Sequence, residues 1–148
     1  MIPAIHQAGR CFRNRVVALF PLVPSVDVVD ETFLAVPPAV VAAAFTPPAA
    51  WARFWPDLTL DVYADRGTEG LRWTVGGALV GTMEVWLEPV LDGTLLHYFL
   101  RADLPGDASD RRARREVRRR QLAAKQVSLG LKLILEDDRP PGVAPALP

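Results

Sequence analysis

The strongest constraint on this chain comes late in it. From about Arg111 to Glu136 no proline interrupts the sequence, and Ala113, Val117, Ala124, Val127, Leu131, Ile134 and Leu135 fall in one apolar stripe at about 100° per residue. Ser109 or Asp110 is a good N-cap for this helix. A helix this long with one apolar face must lie on something apolar. The preceding residues supply it, because their hydrophobic period is two rather than 3.6.

Val26 to Leu34 is β-branched and roughly alternating, and reads as a first strand. Pro37-Pro38 opens a short Ala-rich helix to Phe45, and Thr46-Pro47-Pro48 stops it. Ala49 to Pro56, with Trp51, Phe54 and Trp55, reads as a second short helix that Pro56 ends. Leu58 to Asp65 then alternates strictly, Arg66 to Gly70 is a turn, and Leu71 to Val75 is a strand followed by a Gly76-Gly77 turn. Leu79 to Glu88 and Thr94 to Asp103 complete five strands, joined by a hairpin connection over Pro89 to Gly93. Short connections make the sheet antiparallel, and the class α+β.

The 148 residues, half of them hydrophobic, are enough for one domain with a full core. The domain is expected over residues 26–137, after an extension at 1–25 and before a Pro-rich, unstructured tail at 138–148. Arg10, Arg13 and Arg15 before Val16 to Val23 resemble a signal peptide faintly, but Pro21 breaks the apolar stretch and no cleavage site follows before Asp27. No apolar run is long enough to cross a bilayer. The single cysteine, Cys11, excludes an internal disulfide and suits a reducing, cytoplasmic setting.

Neither Ser-His-Asp nor Gly-x-Ser-x-Gly spacing occurs, so no nucleophile constellation is visible. The two histidines, His6 and His97, stand far apart and no Cys-x-x-Cys or His-Glu-x-x-His is present, so no metal site and no cofactor are expected. His97 alternates to the outer face beside Phe99, where it reads as a surface or interface residue rather than a general base. Formal charge is zero overall, yet seven of the fifteen arginines lie between Arg111 and Arg120. Most of that cluster reads as a solvated helix face. No aromatic residues interleave with it to stack bases, so nucleic acid binding through Arg111 to Arg119 is the weaker reading. Arg120 differs, projecting near the middle of the apolar stripe. It must either pair with a carboxylate, a carbonyl or a ligand anion, or snorkel out past the sheet edge, which is the favoured reading.

The order of elements resembles the START-like (SRPBCC) superfamily, in particular its bacterial polyketide cyclase/dehydrase and lipid-transport branch. The resemblance covers roughly Val26 to Glu136. It rests on Val36-Pro37-Pro38-Ala39-Val40-Val41 entering the first helix, on the aromatic segment Trp51 to Pro56, and on Leu87-Glu88-Pro89 through Gly93-Thr94-Leu95-Leu96-His97-Tyr98. It implies a helix-grip fold, in which a curved antiparallel sheet wraps the C-terminal helix around an apolar cavity. Six or seven strands are usual there and five are counted here. A hairpin is missing after Trp55, which leaves a cavity that is small, open at one side or closed by a partner.

In that fold the cavity lining is Trp55, Val62, Trp73, Met83, Val85, Tyr98, Leu100, Arg120, Ala124, Val127 and Leu131. The implied function is binding a hydrophobic small molecule or lipid. The alternatives are an interaction module, meeting ribosomal RNA or a protein through the arginine face, and a polyketide cyclase using Tyr98 and Arg120. Trp86 and Phe99, with Leu122, Leu129 and Leu133 on the back of the helix, form an outward apolar set in which Trp86 and Phe99 can make one patch, suited to a homodimer, to a partner interface or equally to cover by the N-terminal extension.

Overall fold

The computed structural model describes residues 23–137, 139 and 143. Cys11, His6 and the expected N-terminal extension as far as residue 22 lie outside the described residues, as does nearly all of the tail. The elements follow in order: β1 (Val26–Leu34), α1 (Pro38–Phe45), α2 (Pro48–Phe54), β2 (Leu58–Asp65), β3 (Gly70–Gly77), β4 (Val80–Val90), β5 (Gly93–Asp103) and α3 (Asp110–Leu135), with a single 3₁₀ turn at Gly67–Glu69. The five strands form one antiparallel sheet in the order β1-β5-β4-β3-β2.

Cross-strand register carries the inward set across the whole sheet. Val62 pairs with Trp73, Trp73 with Met83, Met83 with Leu100, and Leu100 with Val28, one row spanning every strand. A second row runs Leu71, Val85, Tyr98 and Asp30. Because successive side chains alternate, both rows share the face covered by the helices. The intervening residues, among them Glu84, Trp86, His97 and Phe99, form the outer face.

Proline sets where the two short helices begin. Pro38 and Pro48 sit in the first turns of α1 and α2, where a missing N–H costs nothing. The helices are tied together by the Trp51 indole N–H, which donates to the Phe45 carbonyl at 2.6 Å. The Ser109 hydroxyl caps α3 by accepting from the Arg112 N–H. This helix packs chiefly on β1, the far edge of the sheet from β2. Lys125 bonds Asp30 at 2.7 Å, Ser128 donates to Asp30, Lys132 to the Phe33 carbonyl, and Glu136 accepts the Ala35 N–H.

Two expected turns sit elsewhere. Gly76 and Gly77 remain in β3, paired with Thr59 and Leu58, and the chain reverses after Gly77, whose φ of +87° only glycine adopts readily. Similarly β4 runs on through Pro89 to Val90, so the β4–β5 turn is Leu91-Asp92 alone. Pro89 is tolerated because β3 pairs with β4 only as far as Trp86, which leaves that side of Pro89 without a ladder to complete. At Gly70, φ is +108° and a Cβ would collide with the Val85 carbonyl, so both the turn and the β3–β4 approach depend on glycine there.

Candidate functional site

The inner face is dominated by an aromatic cluster. Pro56 ends α2, and Trp55 caps it with its N–H on the Trp51 carbonyl, turning its side chain under the helices. Its ring stacks on Tyr98 with centroids 6.0 Å apart and meets Trp73 edge-on at 6.0 Å. Phe45 and Phe54 pack on its other sides at 6.4 and 5.5 Å, and Trp51 meets Trp73 edge-on at 5.5 Å. Trp55 and Trp73 are fully buried, yet neither indole N–H has a hydrogen-bond partner among the described residues. An unmet buried donor costs about 1–3 kcal/mol, so two in contacting side chains are a cost that the described residues do not offset.

A cleft of about 450 Å³ opens beside this cluster, between α1 and the β2–β3 edge. Phe45 and Trp51 stand in its wall together with Ala39, Ala42, Val62 and Leu71, while Thr46, Asp65 and Thr68 give it polar members. The first two rings are the ones in contact with Trp55 and Trp73, so the cleft wall is the outer layer of the aromatic cluster, and Trp55 and Trp73 themselves lie behind it.

Nine of the eleven residues assigned to the cavity from the sequence are buried on the inner side: Trp55, Trp73, Met83, Val85, Tyr98, Leu100, Arg120, Ala124 and Leu131. Val127 is half-buried on α3 and borders a smaller hollow of about 260 Å³ with Arg53 and Phe54. Val62 departs from the expected burial. It lies on the inner side by register, but it is 41% exposed, because β2 is the free edge and α3 lies over the opposite one. The cleft residues on α1 and the Gly67–Glu69 turn were missed from the sequence, since only the packing of α1 against that turn creates them.

Arg120 does not snorkel. Only 2% exposed, it donates from Nε to Glu116 at 2.8 Å and from Nη1 and Nη2 to Asp57 at 2.9 and 2.8 Å. Arg119 joins the same two carboxylates at 2.7 Å each. The Arg120 guanidinium is held instead by Asp57, on the link from α2 to β2, and by Glu116 one turn back on α3. Burial pushes the Asp57 carboxyl up, but the hydrogen bonds and charges of Arg120 and Arg119 outweigh it and hold it below the usual range. Glu116 is likewise held low, chiefly by the Arg119 hydrogen bond. Burial raises the Tyr98 phenol well above its ordinary value, so it stays neutral at any physiological pH.

Lowered carboxylate pKa values make acid costly. Their contribution to stability is complete above the unfolded-chain values of about 4 and is lost as pH falls through the lower folded values. Asp57→Asn is therefore expected to flatten the decline in stability below about pH 4. Urea midpoints measured from neutral pH downward check this, and an acid limb identical to that of the wild type would sink it.

On the outer face His97 is where alternation puts it, but it is covered. Only 6% exposed, it stacks between Trp86 at 4.3 Å and Phe99 at 6.2 Å, with Nδ1 2.9 Å from Glu31 and Nε2 3.0 Å from Glu88. Trp86 and Phe99 are thus half-buried flanks of one stack rather than two free apolar side chains. Among the described residues no cluster of His, Cys, Asp and Glu has metal-binding geometry, and no helix is long and apolar enough to cross a membrane.

No protein-family profile matches the chain, and no curated protein matches it in sequence. Solved structures do match in shape. Protein Ms6760 from Mycobacterium smegmatis superposes with a TM-score of 0.57 at 11% identity, over 78% of this chain and 94% of that one. Protein MLL2253 from Mesorhizobium loti gives 0.56 at 19% identity, over 77% and 99%. The Aha1 dimer from Colwellia psychrerythraea gives 0.53 at 12% identity, over 73% and 97%. With a five-stranded antiparallel sheet, two short helices after β1 and a long last helix, the chain has the helix-grip fold. At these identities the likeness is one of fold.

Proposed function

We propose that this chain is a shortened START-like domain that binds a hydrophobic small molecule carrying a hydrogen-bond acceptor. The ligand enters the cleft between α1 and the β2–β3 edge and reaches the indoles behind it by displacing the Phe45 and Trp51 rings of its wall. The observation that carries this reading is the pair of buried indole N–H groups, Trp55 and Trp73, without partners. A carbonyl, ether or hydroxyl oxygen on the ligand would satisfy one or both. The apolar remainder would lie against Phe45, Trp51, Val62 and Leu71. About 450 Å³ falls at the lower end of small-molecule pockets, which favours one aromatic polyketide or a short acyl chain over a two-chain lipid. Arg120 already has its three donor groups on Asp57 and Glu116, so in this reading it braces the fold rather than orienting a polyketide.

Native mass spectrometry of the purified protein, with an organic extract of the same sample, tests the reading. A stoichiometric apolar adduct is the expected result. In Trp73→Phe, which keeps a large ring and removes one donor, affinity for the extracted compound is expected to fall about tenfold, the worth of one hydrogen bond, with the far-UV spectrum unchanged. A clean apo mass that gains nothing from added fatty acids or aromatic polyketides would sink the proposal.

A further inference from the structure

We propose that α3 also forms an antiparallel, two-fold symmetric contact with α3 of a second copy of this chain. The side of α3 opposite the core carries Leu122, Leu129 and Leu133, which are 62, 51 and 69% exposed. With Gln126 they fall within one narrow strip at about 100° per residue. The strip is self-complementary. Leu122 and Leu133 are equidistant from a point between Val127 and Ser128, and so are Gln126 and Leu129. A two-fold axis through that point sets Leu122 against Leu133 of the copy and Gln126 against Leu129, the reciprocity that an isologous interface needs.

Charge selects the second copy and the direction. Towards the N-terminus the same strip continues into Arg118, Arg115 and Arg111, and just past the C-terminal end of the helix, after Glu136 has turned to Ala35 and Lys132, stands the exposed Asp137. Among the described residues Arg118 makes no ion pair, and neither does Asp137, which is exposed. The axis that matches the leucines brings Arg118 opposite Asp137 of the copy, twice. It also holds the two arginine clusters about 40 Å apart, several screening lengths, whereas parallel helices would set them side by side. An anionic membrane fits less well. A helix lying in a bilayer surface alternates cations and apolar residues around its circumference along its whole length, but here they occupy successive halves of one strip.

Sedimentation equilibrium of the full chain, together with disulfide trapping, tests the contact. A monomer–dimer equilibrium is expected. Leu129→Glu should abolish it with the thermal midpoint retained, because this side chain lies away from the core. Arg118→Asp should weaken it about 2- to 10-fold, and adding Asp137→Arg should recover part of the loss. In a Cys11→Ser background, Gln126→Cys, near the axis, should cross-link. Leu122→Cys should not, because in the antiparallel pair its two copies are about 16 Å apart. Three results would overturn the proposal: a protein monomeric at the highest attainable concentration, whether or not it binds RNA or anionic vesicles; cross-linking at Leu122 as readily as at Gln126; or a dimer indifferent to Leu129→Glu and lost with Trp86→Ala. None of them bears on ligand binding at the cleft, which is read separately by the mass of the adduct.

Discussion

Trp55→Ala is expected to destabilise the protein by about 4 kcal/mol, lowering the thermal midpoint by roughly 8–16 °C. The side chain is 2% exposed and stands at the centre of the aromatic cluster, touching Phe45, Phe54, Trp73 and Tyr98. Those rings come from α1, α2, β3 and β5, so truncation opens a void that no single element can close by shifting. Trp55→Phe should cost far less. It loses part of the packing but also removes an unmet donor, and these two effects oppose each other. Urea unfolding of both variants with unchanged m-values checks the prediction. A loss below about 1 kcal/mol for the alanine variant would show that α2 collapses onto the sheet and that the cluster is not the structural centre of the fold.

Arg120→Met has the next largest expected effect, about 3 kcal/mol. Methionine keeps much of the stem's packing, so the loss isolates the guanidinium and its three hydrogen bonds to Glu116 and Asp57. Removing one side of a buried ionic cluster leaves the other side desolvated without compensation. The cost stays at the low end of the range for such changes because Arg119 still reaches both carboxylates. Removing the whole cluster at once, as Arg120→Met with Asp57→Asn and Glu116→Gln, should be milder than the single change. A triple variant less stable than Arg120→Met would show that the pairing itself stabilises the fold, beyond avoiding an unpaired charge.

Much of the architecture can be read from local chemistry. The period-two runs locate all five strands, the Pro-Pro pairs locate α1 and α2, and the stripe from Ala113 to Leu135 locates α3 and its buried side except at Ile134, which is 74% exposed at the wide margin of the stripe. Register also follows from alternation, which is why Tyr98 and Trp73 point inward and Trp86 and His97 outward. Errors arise where a neighbour decides the outcome. His97 reads as exposed because nothing local says that Trp86 and Phe99 will flank it while Glu31 and Glu88, from strands on either side, reach its ring nitrogens. Arg120 reads as solvated because Asp57, which takes two of its three hydrogen bonds, lies 63 residues away, and Glu116 one turn back does not by itself tell which way the side chain turns. The same holds for the cleft, whose walls come from α1 and the turn before β3, segments that look like helix and loop until they pack.

The sheet ends in β2, whose outer ladder of N–H and C=O groups has no strand beside it among the described residues. Such a border invites a foreign strand to add itself, the usual route to amyloid-like stacking. Two features of β2 work against that. Its pairing with β3 slips between Val62 and Ala64, and an irregularity of this kind bends the strand and spoils the straight template that an incoming chain would copy. Asp61 and Asp65 on either side of the slip place like charges in every would-be β2–β2 stack. A sheet left unfinished beside the cleft can thus avoid becoming a seed for its own aggregation.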